Sequence, residues 1–267
     1  WADTYTIGEY YGSTSAVPGG DELQLNFNFP LAFAIVDGVN GGSGAGIASV
    51  IDQARSTYPS GATDAPFLRN HDMQRTASAF AGSAGKIANA LAIVLTVPGS
   101  PFLYYGEELG LLNGNRCGGC DEDKRTPMPW DGTAGGGGFT TGTPWHPFAP
   151  GQATTNVAAQ AGVSTSQLAR ARRLIAAYHG SEALSQGSIR WYSRSGNVLA
   201  FTRTSGPETV LVVHNLSDSS ANAGPFAITA GGATTLFADP GVADLGGASG
   251  NWRTSLSGRG TGIYRMR

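Results

Sequence analysis

The chain has 267 residues, a formal net charge of −2 and 40 glycines beside an ordinary apolar content, which makes it loop-rich but globular, with room for one large or two ordinary domains. The near-balanced charge gives no electrostatic claim on nucleic acid or an anionic membrane, and no apolar run approaches the roughly 20 residues of a membrane helix. The chain opens on Trp1 instead of Met and no signal peptide is legible, as expected of a processed or truncated product.

Residues 3–8 alternate, with Tyr5 and Ile7 on one face, and predict a short strand ending at Glu9. A second alternating run, Leu23, Leu25, Phe27 and Phe29, predicts a strand that Pro30 closes. The glycine-rich stretch Gly41, Gly42, Gly44 and Gly46 then leads into a helix over 47–58 through Ile47, Val50, Ile51 and Ala54, which Pro59 stops. Ala65-Pro66-Phe67-Leu68-Arg69 reads as a buried strand, and Asn70-His71-Asp72 follows it. Residues 83–96 carry the helical stripe Ile87, Leu91, Val94 and Leu95. Phe102-Leu103-Tyr104-Tyr105 predicts a fourth strand ending at Gly106-Glu107-Glu108. A long irregular segment covers 109–163, with Gly135–Gly138 its most flexible part, and a segment of that length is functional or disordered. A last helix, 164–178, ends at Gly180. Beyond it only short strands are read, near 189–192, 198–201, 210–213, 234–237 and 262–264. The pattern is therefore α/β followed by all-β, with the boundary at 179/180 and an antiparallel β-sandwich over 180–267.

An imidazole and a carboxylate at the mouth of a buried strand are costly unless paired or used. In a parallel barrel, catalytic side chains gather at the C-terminal ends of strands. His71 and Asp72 fit that placement, and Glu9 fits it at the end of the first strand; a polar turn that caps the next segment is the plainer alternative. A full barrel takes about 250 residues, and the first unit offers 179. Four parallel strands alone leave two unpaired edges. A complementary N-terminal half, on the same gene product or another chain, is expected to complete the unit.

The pair Cys117-Gly118-Gly119-Cys120 admits a redox motif, half a zinc site or a closed loop. Gly-Gly between the cysteines disfavours the helix that a thioredoxin-like site opens. A zinc site needs two further ligands, and His71, His146, His179 and His214 do not repeat a finger's spacing. A small loop disulfide without a metal is the expectation, and it favours an oxidising compartment.

Phe67-Leu68-Arg69-Asn70-His71-Asp72 resembles the fourth signature region of the α-amylase superfamily of glycoside hydrolases (family 13), and Thr6-Ile7-Gly8-Glu9 resembles its third. Residues 97–110 resemble the eighth barrel strand and its exit loop. Arg125-Thr126-Pro127-Met128-Pro129-Trp130-Asp131, with Gly138-Phe139 and Pro144-Trp145, resembles the oligo-1,6-glucosidase and bacterial α-amylase branch. The 200–203 and 212–215 stretches resemble the family's C-terminal sandwich. The likeness covers essentially the whole chain and implies the C-terminal half of a (β/α)8 TIM barrel, strands 5–8 over residues 1–179, before the sandwich.

The resemblance implies a retaining two-step displacement on α-glucans or α-gluco-oligosaccharides. Glu9 is then the general acid/base, its pKa raised if Tyr10 and Tyr11 exclude water. Asp72 is the transition-state stabiliser, and His71, Asn70 and Arg125 are substrate-binding. Arg75 fits either a site wall or a structural salt bridge, Arg125 and Trp130 either an aglycone wall or loop packing, and Glu107 and Glu108 fit loop anchors. The family's Gly-Phe-Arg-x-Asp motif, which carries the nucleophile, and its Asp-x-x-x-Asn-His motif are absent from residues 1–267. The inserted domain and its calcium ligands are absent too, so calcium is expected only in the missing N-terminal half and no cofactor in this chain. A secreted enzyme active with its other half follows. A non-catalytic carbohydrate-binding or truncation fragment, and a transglycosylase or isomerase relative, are its rivals.

Overall fold

The computed structural model describes residues 6–12, 23, 25–59 and 62–267. Three short strands, β1 (Ile7–Gly8), β2 (Leu25–Phe27) and β3 (Thr63–Ala65), form one parallel sheet in the order β1-β2-β3. Ile7 pairs with Leu25, and Phe27 with Ala65. Residues 3–5 of the first predicted strand lie outside the described residues.

The second predicted strand is shorter than its alternation suggested, and a helix absent from the sequence reading follows it at once: α1, Phe29–Gly41. Asn28 is its N-cap, its side-chain oxygen accepting the Leu31 N–H at 2.8 Å. Pro30, read as a strand terminator, sits in the first helical turn, where a missing N–H goes unnoticed. Gly42, at φ 69°, closes the helix in the left-handed region. The helix α2, Ala45–Thr57, buries Ile47, Ala48, Ile51 and Ala54.

The third predicted strand is displaced toward its N-terminus. Its ladder ends at Ala65, and Pro66, Phe67 and Leu68 continue as buried irregular chain. The short α3 (Thr76–Ala79) and α4 (Ala84–Val94) follow. The predicted fourth strand is corrected. Residues 100–102 run beside β3, Ser100 N donating to Asp64 O at 2.9 Å and Phe102 N to Pro66 O at 2.8 Å. Pro101 has no N–H to give, and the Tyr104 N–H goes to the Glu107 carboxylate at 3.0 Å, so no regular strand forms. The long segment contains two short helices, α5 (Asp121–Lys124) and α6 (Val157–Ala161). Within it, residues 133–140 are folded into turns in which the Gly137 carbonyl accepts the Trp130 and Asp131 N–H groups. The helix α7 spans Gln167–His179.

A further short helix, α8 (Glu182–Gln186), overturns the expectation that helices end before Gly180: Ser181 caps it and Glu208 takes the Ala183 N–H at 2.9 Å. Seven strands follow: β4 (Ser188–Ser193), β5 (Val198–Ser205), β6 (Glu208–Asn215), β7 (Ala221–Phe226), β8 (Ala233–Ala238), β9 (Trp252–Leu256) and β10 (Thr261–Met266). Five make an antiparallel sheet, β4-β5-β6-β10-β8, and β7 pairs with β9. The strands β7 and β9 were not read from sequence. Ala-Asn-Ala-Gly-Pro-Phe has little strand propensity, and β9 shows its period only through Trp252, Thr254 and Leu256.

The five-stranded sheet is buried on both faces, which explains the unbroken run Val210-Leu211-Val212-Val213. Leu199, Phe201, Val210, Val212 and Ile263 join the core made by α1, α2, α4 and α7. Ala200, Leu211, Val213 and Tyr264 face Ala223, Phe226, Trp252 and Leu256 of the smaller sheet. Polar staples cross the first interface. His214 Nε2 meets Thr96 Oγ1 at 3.0 Å and Nδ1 meets Thr261 Oγ1 at 2.9 Å. Arg203 donates to Thr96 O and Gly187 O, and Arg170 forks onto Asp239 at 2.6 and 2.7 Å.

Candidate active site

In a parallel sheet all strands deliver their C-terminal ends to one side. Glu9 stands directly after β1, and Asn70-His71-Asp72 emerge on the same side beyond β3. The buried Pro66, Phe67 and Leu68 fix their approach, with Phe67 packed edge-on to Phe27 and Phe29 at 5.3 and 4.9 Å. Asn70 joins the two ends. Its Nδ2 donates to Glu9 Oε1 at 3.1 Å, and its Oδ1 accepts the Asp72 N–H at 3.1 Å. His71 Nε2 lies 3.5 Å from Asp72 Oδ2. The sequence-predicted Glu9, Asn70, His71 and Asp72 are thus brought together, with His71 and Asp72 half-exposed at the sheet mouth.

Arg125, the C-cap of α5 within the long segment, joins them. Its Nη2 contacts Asp72 Oδ1 at 2.6 Å, and its Nε donates to His71 O at 3.1 Å. Lys124 Nζ donates to Asp72 O at 3.0 Å and to Asp121 Oδ1 at 2.9 Å. Asp72 therefore faces an imidazole on one oxygen and a guanidinium on the other, a carboxylate oriented by charge and still open to solvent.

The predicted enclosure of Glu9 by Tyr10 and Tyr11 is corrected. Glu9 is exposed and both tyrosines are about half exposed. The Tyr11 ring stacks on Phe29 at 4.0 Å instead, because an apolar ring face lies within reach. Burial, and then the negative charges of Asp72 and Glu9, raise the Tyr11 phenol pKa.

Beneath the mouth lie groups that hold it. Among the described residues Arg75 forms no salt bridge: its guanidinium stacks over Tyr104 and Tyr105 at 4.8 and 4.5 Å and donates to Tyr105 O at 2.7 Å. Glu107 is buried and anchors the loop by accepting from Thr76 Oγ1 and Tyr104 N, and burial pushes its carboxyl up to about 7. Glu108 accepts the Gly106 N–H at 2.8 Å. Arg69 is largely buried beside the Phe33 ring, and desolvation lowers its pKa. Trp130 is exposed, as are Phe139 and Trp145 on the same long segment.

Sequence reading missed Asp123 and His146, both buried, with His146 Nε2 3.2 Å from Asp123 Oδ1. Their only signal was an unexplained histidine 23 positions from an acid in a glycine-rich loop. Cys117 and Cys120 are disulfide-bonded, as expected. Cys117, Asp123 and His146 present ligand-type atoms within 4.8 Å of one another. In this structure Cys117 Sγ is held in the disulfide and the Asp123 oxygens accept the Arg116 and Cys117 N–H groups.

A family model for the α-amylase catalytic domain matches residues 2–187. Alpha-amylase 3 of Dictyoglomus thermophilum is 39% identical over 133 residues, 49% of this chain and 24% of that protein. The trehalose synthase/amylase TreS of Mycobacterium tuberculosis is 30% identical over 255 residues, 78% of this chain and 41% of that protein. Among solved structures, the α-amylase from H. orenii superimposes with a TM-score of 0.84 at 26% identity, over 98% of this chain and 53% of its own. The trehalulose synthase MutB does so with 0.79 at 26%, over 99% and 56%. The chain thus spans about half of these solved relatives and less than half of the curated ones. It belongs to the α-amylase family.

Proposed function

We propose that this chain supplies the acid/base and the transition-state stabiliser of a retaining α-glucan hydrolase. Residues 1–179 are the C-terminal half of its barrel, and residues 180–267 its sandwich domain. The observation that carries the reading is the Asn70 bridge, which places Glu9 and Asp72 at one mouth from two different strands. Glu9 protonates the glycosidic oxygen while a carboxylate attacks the anomeric carbon from the opposite face, about 5–5.5 Å from the acid. Asp72 and His71 hold hydroxyls of the same sugar, and the charge on Asp72 stabilises the oxocarbenium-like transition state. Arg125 borders that sugar on the leaving-group side.

The nucleophile comes from an N-terminal half, on the same polypeptide or another chain, packed on the open sheet edges. Calcium, where present, belongs to that half. The exposed Glu9 carboxyl needs water excluded to keep a proton at neutral pH, and the same half with bound substrate supplies that enclosure. The Cys117–Cys120 disulfide supports secretion into an oxidising compartment. A second reading, transglycosylation or sucrose isomerisation at the same site, draws support from the likeness to TreS and to the trehalulose synthase.

The test is product analysis of the complete protein on starch, maltose, isomaltose and sucrose, with the sequence preceding Trp1 established by intact mass. Glucose or malto-oligosaccharides released from α-glucans, with Glu9→Gln lowering turnover roughly 10²–10⁴-fold, support the hydrolase. A dominant isomeric disaccharide selects the second reading. Absence of any polypeptide that brings a nucleophilic Asp sinks both.

A further inference from the structure

The turn α5 is four residues long, and Asp123 is its one buried member. A helical turn this short does not hold itself in place, yet its end carries Lys124 and Arg125 onto Asp72 and His71. What fixes it lies on the opposite side. Asp123 Oδ1 accepts the Arg116 N–H at 2.9 Å and stands 3.2 Å from His146 Nε2. Its Oδ2 accepts the Cys117 and Gly119 N–H groups at 3.2 and 3.4 Å. Its own carbonyl accepts the Gly114 N–H at 2.6 Å. The Cys117–Cys120 disulfide closes the loop that aims these N–H groups inward. Gly114 leaves the space, since a Cβ there would stand 2.8 Å from Asp123 Oδ1 and 3.0 Å from His146 Cε1. Burial works against the charge on Asp123, but the three backbone N–H groups and the His146 ring hold its carboxyl below the usual range.

We propose that Asp123 is a positioning residue for the reaction: clasped by His146 and the disulfide-closed loop 114–120, it fixes the turn that delivers Arg125 to Asp72. This rests on the assignment of Asp72 above. Asp123 touches no substrate and acts through Arg125. The Arg125 guanidinium is the one cation at 2.6 Å from the Asp72 carboxylate among the described residues, so its displacement alters the sugar subsite directly.

A double-mutant cycle in the complete enzyme tests it, reading kcat and KM on maltotriose for Asp123→Asn, Arg125→Ala and the pair. Asparagine keeps the size but turns amide N–H groups toward the backbone N–H groups of Arg116, Cys117 and Gly119, which only donate. Asp123→Asn is expected to lower kcat/KM about 10- to 100-fold, as loss of an outer support does. The pair is expected to be no worse than Arg125→Ala alone, because both changes remove the same contact. Multiplying losses would overturn the proposal. Should Asp123→Asn fail to fold, Cys117→Ser with Cys120→Ser leaves the carboxylate and opens its loop. That variant is expected to raise KM, and unchanged kinetics would overturn the proposal. Amide hydrogen exchange over residues 114–126 reads the clasp without catalysis. Faster exchange in either variant is expected, and unchanged exchange refutes the clasp. An enzyme without turnover on any α-glucan refutes the functional reading instead.

Discussion

His214 should set an acid limit on stability. It is wholly buried where the sheet meets the helices, and burial, reinforced by the charge of Arg170, lowers its pKa from 6.5 to about 3. The hydrogen bonds assign the tautomer. The Thr96 hydroxyl lies 2.7 Å from Ala92 O and donates there, so it accepts from His214 Nε2–H, and the Thr261 hydroxyl donates to Nδ1. A second proton on Nδ1 would force Thr261 to give up that donation inside an apolar interface. The folded state therefore binds no proton here until about pH 3, whereas the unfolded chain binds one below pH 6.5. Stability is full above 6.5 and falls with pH, by about 1.4 kcal/mol per unit, or about 2–3 kcal/mol between pH 6 and 4. Replacement His214→Gln costs about 1–3 kcal/mol at pH 7 through weakened hydrogen bonds and deletes this slope. Urea unfolding followed by tryptophan fluorescence at pH 4, 5, 6 and 7 reads both effects. The difference between wild type and variant should shrink steadily toward pH 4. A difference constant across that range would show that His214 is protonated in the folded protein or exposed, and the argument from burial would fail.

Glu107 should show the opposite sign. With its carboxyl raised from 4.5 to about 7, the folded state keeps a proton that the unfolded chain releases, so its contribution is complete below 4.5 and lost as pH rises through 7. Glu107→Gln, whose amide can accept from Tyr104 N and donate to Thr76, should be more stable than wild type by about 1–3 kcal/mol at pH 8, and equal to it near pH 4.5, in thermal melts. Arg170→Ala leaves Asp239 charged and nearly buried without the guanidinium fork that pairs it. It should destabilise by about 3–5 kcal/mol, measured by denaturant midpoint, and a loss under 1 kcal/mol would show that water replaces the guanidinium.

The gathering of residues at the candidate site was legible because they are compact in sequence. Asn70, His71 and Asp72 are adjacent, and a buried run ending in polar groups carries its own physical oddity. Glu9 was legible only beside them. The helix α1 was not, since Leu25, Phe27 and Phe29 continue an alternating pattern across the very point where Asn28 turns the chain into a helix. The proline that seemed to close a strand was in the helix's first turn. Asp123 and His146 were illegible for a different reason: a buried contact between side chains far apart in the chain leaves no local period. The fourth strand failed on two details, the missing N–H of Pro101 and the capture of the Tyr104 N–H by Glu107, and apolar composition does not report the second.

The sandwich strands bear on the mouth through Thr96. This residue ends the turn after α4, and two sandwich groups hold it: His214 on its hydroxyl and Arg203 on its carbonyl, at 3.0 and 2.7 Å. Four to six residues later the same chain reaches β3, where Ser100 and Phe102 donate to Asp64 O and Pro66 O. Phe102 also packs edge-on against Phe27 at 4.9 Å, and Phe27 packs on Phe67. A continuous set of contacts thus runs from β5 and β6 to the segment that presents Asn70, His71 and Asp72. The sheet thereby fixes where the Asp72 carboxylate stands, because each step is either a hydrogen bond or an aromatic contact in packed surroundings. The same geometry explains why the shared core is not divided between two separate units: Leu199, Phe201 and Val212 of the sandwich lie in one cluster with Leu91 and Val94 of α4. Loosening that cluster would move Thr96 first and the Asp72 carboxylate with it.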